Sequence, residues 1–152
     1  MDNKDIISTL NDLIETCKDG EQGFKTCAED ADQRSPQLRS MLAARQVECA
    51  NAASELQQLV RTYGGDPAQR SSAAGAMHRA WVDIKSAITG RDDEAVLNEC
   101  ERGEDVAVKS YREALAKNLP ADVRAVVERQ YQGVLRNHDQ VKMLRDQARA
   151  HS

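Results

Sequence analysis

Two glutamates follow a glycine within what the sequence pattern predicts to be the apolar face of a helix. Glu21 ends the segment CKDGE at 17–21, and Glu104 ends the segment CERGE at 100–104. A carboxylate that faces a helical core must be paired, protonated or bound to a metal ion. These two acids are therefore the first candidates for chemistry in this chain.

Polar side chains also fall on the apolar faces of two further predicted helices. Arg45 and Glu48 are three residues apart and share the inward face of the second helix. Gln130 and His138 lie on or beside the valine stripe of the last helix. We expect these groups, together with the two glycine-linked glutamates, to form one polar layer drawn from all four helices.

One interpretation of this layer is a metal site. Ferritin-like di-iron proteins bind two metal ions through one Glu from each of two helices and a Glu-x-x-His pair from each of the other two. No Glu-x-x-His occurs in this chain, because Asn51 stands at that spacing after Glu48 and Leu135 stands three residues before His138. The candidate ligands, for iron or another divalent metal, are Glu21, Glu48, Glu101, Glu104 and His138.

The alternative interpretation is an ion-pair layer that fixes how the helices pack. Arg45 would neutralise one of the acids, while Gln130 and His138 would complete the hydrogen bonds. The same arginine would repel a divalent cation. We favour the ion-pair layer and keep the metal site as the competing hypothesis.

Apolar residues spaced by threes and fours predict the helices that position these groups. Pro36 marks a helix start, Gly64-Gly65 marks a stop and Pro120 marks a break. The sequence therefore predicts an all-α, ferritin-like four-helix bundle in one domain, 1–152, with hairpins at 5–63 and 92–150. A long crossover at 64–91 contains a short amphipathic helix, marked by Met77, Trp81, Ile84 and Ile88.

The recurrence of Cys-x-x-Gly-Glu suggests an internal repeat of the two hairpins. A second similarity follows Pro36 and Pro120 at nearly the same offset. Glycine inside a helix costs about 1 kcal/mol relative to alanine. Gly20 and Gly103 therefore indicate a close approach of another helix, which we favour, or a local bulge in the helix.

Composition excludes several classes of function. The net charge is −4 with Lys and Arg dispersed along the chain, which argues against a nucleic-acid partner. No apolar run is long enough to span a membrane, and the N-terminus lacks a signal-peptide pattern, so we expect a cytoplasmic protein. The four cysteines form no Cys-x-x-Cys pair and are expected to be reduced core side chains.

Four segments together resemble a known family. They are GGDP at 64–67, GAMHRAW at 75–81, ECERGED at 99–105 and NHD at 137–139. The chain resembles, over nearly its whole length, an uncharacterised bacterial family of ferritin-like four-helix-bundle proteins classed as a domain of unknown function. The resemblance implies the fold and a bacterial origin, and it supplies no activity, substrate or ligand set.

These observations favour a non-enzymatic binding or structural protein with a buried Arg/Glu/His layer. The competing hypothesis is a metal-binding or redox protein, with a ferritin-like metal oxidase as its enzymatic form. A third is an assembly module, with an unknown protein partner on the crossover helix or a bundle face. A homodimer is compatible with all three, since bundles of this kind readily bury a side face.

Overall fold

The structure is a computed structural model that describes residues 1–30, 36–68 and 93–150, and these ranges contain four long α-helices. The helices are α1 (Asn3–Asp30), α2 (Pro36–Thr62), α3 (Asp93–Leu115) and α4 (Ala121–Ala150). They form two hairpins, α1 with α2 and α3 with α4, as the sequence predicts. The short helix predicted within the crossover lies outside the described residues. None of the helices in the described ranges combines the length and apolarity needed to cross a membrane.

The helix ends follow from local chemistry. The Asp5 amide donates to the Asp2 carboxylate over 2.9 Å, which caps the start of α1. At the end of α2, Gly64 has φ +83°, Gly64 N–H donates to the Arg61 carbonyl, and Gly65 N–H donates to the Val60 carbonyl. This is a Schellman stop, which needs a left-handed residue that glycine supplies without strain.

Contacts between the helices give their directions. The pairs Thr9 with Lys117 and Cys17 with Tyr111 show that α1 and α3 run antiparallel. The Tyr63 hydroxyl donates to Asp122 over 2.8 Å, which joins the end of α2 to the start of α4. Helices α2 and α3 therefore run parallel, as a long crossover requires.

The core follows the predicted apolar stripes. Leu10, Leu13 and Ile14 of α1 and Leu42 and Leu56 of α2 are almost completely buried. The corresponding buried residues of the second hairpin are Val96, Leu97, Cys100, Tyr111, Val123 and Val127. All four cysteines are free and buried, as expected from the sequence. The two hairpins pack mainly through α1 and α3, whereas α2 and α4 touch at only a few points.

Candidate functional site

The sparse packing of α2 against α4 leaves a cavity of about 530 Å³ between them. Residues of all four helices line it, and the buried Arg45 and Glu104 lie at its floor. Small or apolar groups line much of it: Thr16, Cys17, Gly20, Phe24, Cys49, Ala52, Gly103, Ala107, Gly133 and Val134. Polar groups complete the lining: Arg45, Glu48, Asn51, Glu55, Glu104, Tyr111, Arg129, Gln130 and Arg136. Apolar walls with a few convergent polar groups are typical of small-molecule sites.

Arg45 and Glu104 form the deepest polar pair in this cavity. The Arg45 side chain is 9% exposed and that of Glu104 is 1% exposed, and the distance from Arg45 Nε to Glu104 Oε2 is 3.9 Å. That gap is too long for a hydrogen bond. Neither carboxylate oxygen of Glu104, nor Arg45 Nε, has a hydrogen-bond partner among the described residues. The guanidinium also lies over the Phe24 ring, 5.6 Å from its centroid.

Burial controls the protonation of Glu104. Desolvation raises the pKa of this carboxyl from 4.5 to about 8, and the nearby Asp105 and Glu48 add to the rise. Arg45 opposes the shift, but without a hydrogen bond it does not overcome desolvation. Glu104 is therefore largely a neutral acid at pH 7 and can donate a hydrogen bond as well as accept one.

A chain of hydrogen bonds crosses the floor of the cavity beside this pair. The Tyr111 hydroxyl donates to Gln130 Oε1 over 2.8 Å and lies 3.3 Å from the Cys17 thiol. The Gln130 amide then donates to Glu55 Oε1 over 2.8 Å and to the Ala52 carbonyl. This chain of hydrogen bonds links α1, α3, α4 and α2, and of the residues predicted for the polar layer it contains Gln130.

Ion pairs line the mouth of the cavity. Glu48 accepts from Arg45 Nη1 over 3.2 Å and from the Asn137 side chain over 3.0 Å. Glu55 contacts the guanidinium of Arg129. Arg136 also lines the cavity, and this cation has no ion pair or hydrogen bond with the described residues.

Two of the predicted layer residues lie elsewhere. Glu21 is on the flank of α1 with its side chain 29% exposed, 3.9 Å from Lys18. The rotation of α1 about its axis buries Asp19 and leaves Glu21 half-buried, so Glu21 pairs with Lys18 instead of Arg45. His138 does not line the cavity, and its Nε2 is 2.6 Å from Asp105 Oδ1.

Glu101 lies near His138 rather than in the cavity. Glu101, Asp105 and His138 offer ligand atoms within 4.8 Å of one another. The Arg145 guanidinium contacts Glu101, however, and so supplies the positive charge at this cluster. Sequence reasoning missed Asp105, although its position four residues after Glu101 places both on one side of α3.

These placements do not fit the carboxylate-bridged metal site. Glu48 and Glu104 flank the Arg45 guanidinium, which would repel a divalent cation placed between them. Glu21 and His138, the other core ligands of that hypothesis, are not at the layer. Arg45 instead pairs with Glu48 and stands beside Glu104, while His138, which the ion-pair interpretation also placed in the layer, pairs with Asp105.

One predicted close approach is present at Gly20. A Cβ atom at this position would lie 3.1 Å from the Cys49 sulfur, which is tighter than ordinary contact. Gly103, the equivalent glycine of α3, is buried and lines the cavity. The absence of side chains at both positions helps α1 and α3 to form the cavity floor.

The sequence was also compared with known families. The family profile described as "Domain of unknown function (DUF2383)" matches residues 5–117, which covers α1, α2 and α3. The chain belongs to this family. Membership agrees with the resemblance to a domain of unknown function and assigns no activity. A search of curated proteins found no match.

Proposed function

We propose that this DUF2383 protein is a non-enzymatic binding protein that holds a small organic molecule between α2 and α4. The observation that carries the proposal is the set of unpartnered polar atoms of Arg45 and Glu104 at the floor of the cavity. Buried polar groups almost always have hydrogen-bond partners, and a bound ligand would supply the missing ones. The apolar walls would contribute affinity by burying the body of the same ligand.

The thiols of the cavity support binding over covalent catalysis. Burial raises the pKa of Cys17 to about 11 and that of Cys49 to about 12. The thiolate is the nucleophilic form of cysteine, so both side chains are inert near neutral pH. Tyr111 is similarly held as a neutral hydroxyl, because burial raises its pKa well above the usual value.

A fragment screen with a blocked variant tests this function. Amide resonances of ¹⁵N-labelled protein would be recorded while small fragments are added. We expect shifts clustered on residues that line the cavity. Ala52→Phe should abolish them by filling the cavity, because Ala52 lines it. Ala44→Phe is the matched control, since Ala44 is exposed on the same helix. Binding unaffected by Ala52→Phe, or no binding to the cavity at all, would contradict the proposal.

The ferritin-like fold and a location in the bacterial cytoplasm are also part of this proposal. The parallel direction of α2 and α3 supports a ferritin-like bundle, which has one long crossover. Four free, buried cysteines support a reducing compartment such as the bacterial cytoplasm. Metal content of the protein purified without chelator would test the competing metal hypothesis, and near-stoichiometric metal lost in Glu104→Gln would favour it.

A further inference from the structure

We infer that the cavity takes a small organic anion, with its carboxylate bridging Arg45 and Glu104 and its apolar body lying between α2 and α4. The inference rests on the proposed function and names the chemical class of the ligand. It starts from the two unpartnered groups at the cavity floor, Arg45 Nε and the Glu104 carboxyl.

The spacing of these groups favours a ligand with two adjacent acceptor atoms. Arg45 Nε and Glu104 Oε2 are 3.9 Å apart, a separation that the two oxygens of a single carboxylate can bridge. Arg45 Nε is a donor, and Glu104 donates too when it carries its proton. A carboxylate accepts from both at once, and hydrogen bonds between a guanidinium and a carboxylate are among the strongest in proteins.

The charges around the cavity favour the same class of ligand. Helices α2 and α4 supply all the charged lining residues apart from Glu104, and α1 supplies the neutral Cys17. Glu48 pairs with Arg45 and Glu55 pairs with Arg129, which leaves Arg136 as a cation without a partner among the described residues. With Glu104 neutral, the lining carries one excess positive charge, which a monoanion would balance.

The groups that face Glu104 determine how binding should depend on pH. Arg45 and Glu48 face it from α2 and Asp105 lies beside it on α3, and their combined effect with burial leaves its pKa at about 8. From the other two helices, the titratable or charged groups that line the cavity are Cys17 of α1 and Arg129 and Arg136 of α4. Loss of the Glu104 proton would remove one donor and add a like charge, so an anion should bind less tightly above this pH.

The remaining cavity walls define the rest of the ligand. Phe24, Ala52, Ala107 and Val134 offer apolar surface around the polar floor. A cavity of about 530 Å³ is in the range that accommodates an aromatic or short aliphatic body. Aromatic monocarboxylates are therefore suitable probes.

The test compares three probes that share a ring and differ in the charged or polar group. Benzoate is the anion, benzamide is neutral and benzamidinium is the cation. Calorimetric titration near pH 6 should show benzoate bound at least about tenfold more tightly than either of the others. Raising the pH to about 9 should weaken benzoate by roughly tenfold, since the affinity follows protonation of Glu104.

Two variants separate the roles of the pair. Glu104→Gln keeps a donor but cannot ionise, so benzoate should bind equally well near pH 6 and near pH 9. Glu99→Gln is the matched control, because Glu99 is also buried on α3 but does not line the cavity. It should keep the pH dependence of the wild-type protein. Arg45→Lys keeps the charge without the Nε donor and should weaken benzoate by about tenfold.

The outcomes distinguish the ligand class from the function. Tighter binding of benzamide or benzamidinium that Ala52→Phe abolishes would overturn the anion inference and leave the binding function intact. Benzoate binding that does not depend on pH would also overturn it. So would an equal loss of the pH dependence in Glu99→Gln and in Glu104→Gln. If no probe binds at millimolar concentration, the anion inference fails; if the fragment screen is negative as well, the cavity function fails with it.

Discussion

The two Cys-x-x-Gly-Glu segments have the same sequence pattern and different surroundings. At 17–21 the glutamate is partly exposed and lies near Lys18, whereas at 100–104 the glutamate is buried, with neither oxygen hydrogen-bonded to a described residue. Their cysteines differ too, because Cys17 contacts the Tyr111 hydroxyl while Cys100 lies 3.5 Å from the Cys27 thiol. The comparison shows that a short motif does not determine which way its side chains face.

The difference arises from the rotation of each helix about its own axis. In α1 the buried arc includes Asp19, whose counterpart in α3, Arg102, is exposed. In α3 the arc instead includes Glu104, whose counterpart Glu21 is only half-buried. Turning a helix by one residue position changes which flank of the apolar stripe meets the core. One acid therefore lines the cavity and the other lies at the surface.

Removing the cation beside each glutamate should give the largest contrast. At pH 9, where Glu104 is largely ionised, Arg45→Met leaves its carboxylate without a buried cation and should lower the free energy of unfolding by about 3 kcal/mol. Lys18→Met removes the neighbour of the half-buried Glu21 and should cost less than about 0.5 kcal/mol. Urea denaturation at pH 9 measures both. Similar costs for the two variants would contradict the assigned difference in burial.

The buried glutamate, Glu104, should make the stability of the protein depend on pH. Between the ordinary pKa of 4.5 and about 8, folded protein keeps a proton on Glu104 that the unfolded chain releases. The Glu104 contribution to stability therefore falls as pH rises through this window and is level above it, with a slope of at most about 1.4 kcal/mol per pH unit.

Glu104→Gln should remove that part of the slope and stabilise the protein by about 2 kcal/mol near pH 8. Glu21→Gln, the same replacement at the half-buried glutamate, is the matched control. Thermal or urea unfolding from pH 4 to 9 measures the difference between each variant and the wild type. An unchanged slope in Glu104→Gln would show that this carboxyl is already ionised in the folded protein.

The contacts of the two motif cysteines can be separated by removing one hydroxyl. Tyr111→Phe leaves Gln130 Oε1 without its donor and removes the contact with Cys17, so it should cost about 1 kcal/mol. Tyr131 stacks on Tyr111, and its hydroxyl accepts from Arg112 near the surface. Tyr131→Phe should therefore cost much less, and equal losses in urea denaturation would contradict a special role for the buried chain.

The smallest effect concerns the glycine of the first motif. Gly20→Ala gains helix propensity but brings a Cβ within 3.1 Å of the Cys49 sulfur. Replacing Cys49 by alanine first should make the same change more favourable by about 0.5 kcal/mol. A double-mutant cycle measures this coupling, and a coupling near zero would mean that the helices adjust without strain.

Much of the fold could be predicted because its signals are local. The ends of α2 and α4 follow Pro36, Gly64-Gly65 and Pro120, and apolar spacing predicts the buried faces. The third helix begins at Asp93, one residue inside the predicted hairpin at 92–150, and ends at Leu115, five residues before the predicted break at Pro120. Each of these features depends on residues within one or two turns of the chain.

The candidate site was less predictable because it depends on distances between helices. Arg45, Glu48, Glu104 and Gln130 were expected in the core layer and line one cavity. Glu21 and His138 were expected beside them and lie apart, because helix rotation is decided by all the packing partners together. The cavity between α2 and α4 could not be predicted from apolar spacing, because an apolar stripe has the same spacing whether it faces a cavity or a neighbouring helix.

Buried cysteines can report how often the helix bundle opens. Cys17 and Cys27 lie on α1, Cys49 on α2 and Cys100 on α3, each shielded from solvent in the folded state. Cys17 and Cys49 line the cavity, but an alkylating reagent can reach Cys27 and Cys100 only when a helix separates from the bundle, so the labelling rates of these two measure how often that happens. Single-cysteine versions would compare the hairpins, and a cysteine introduced on α4 would extend the comparison to the fourth helix.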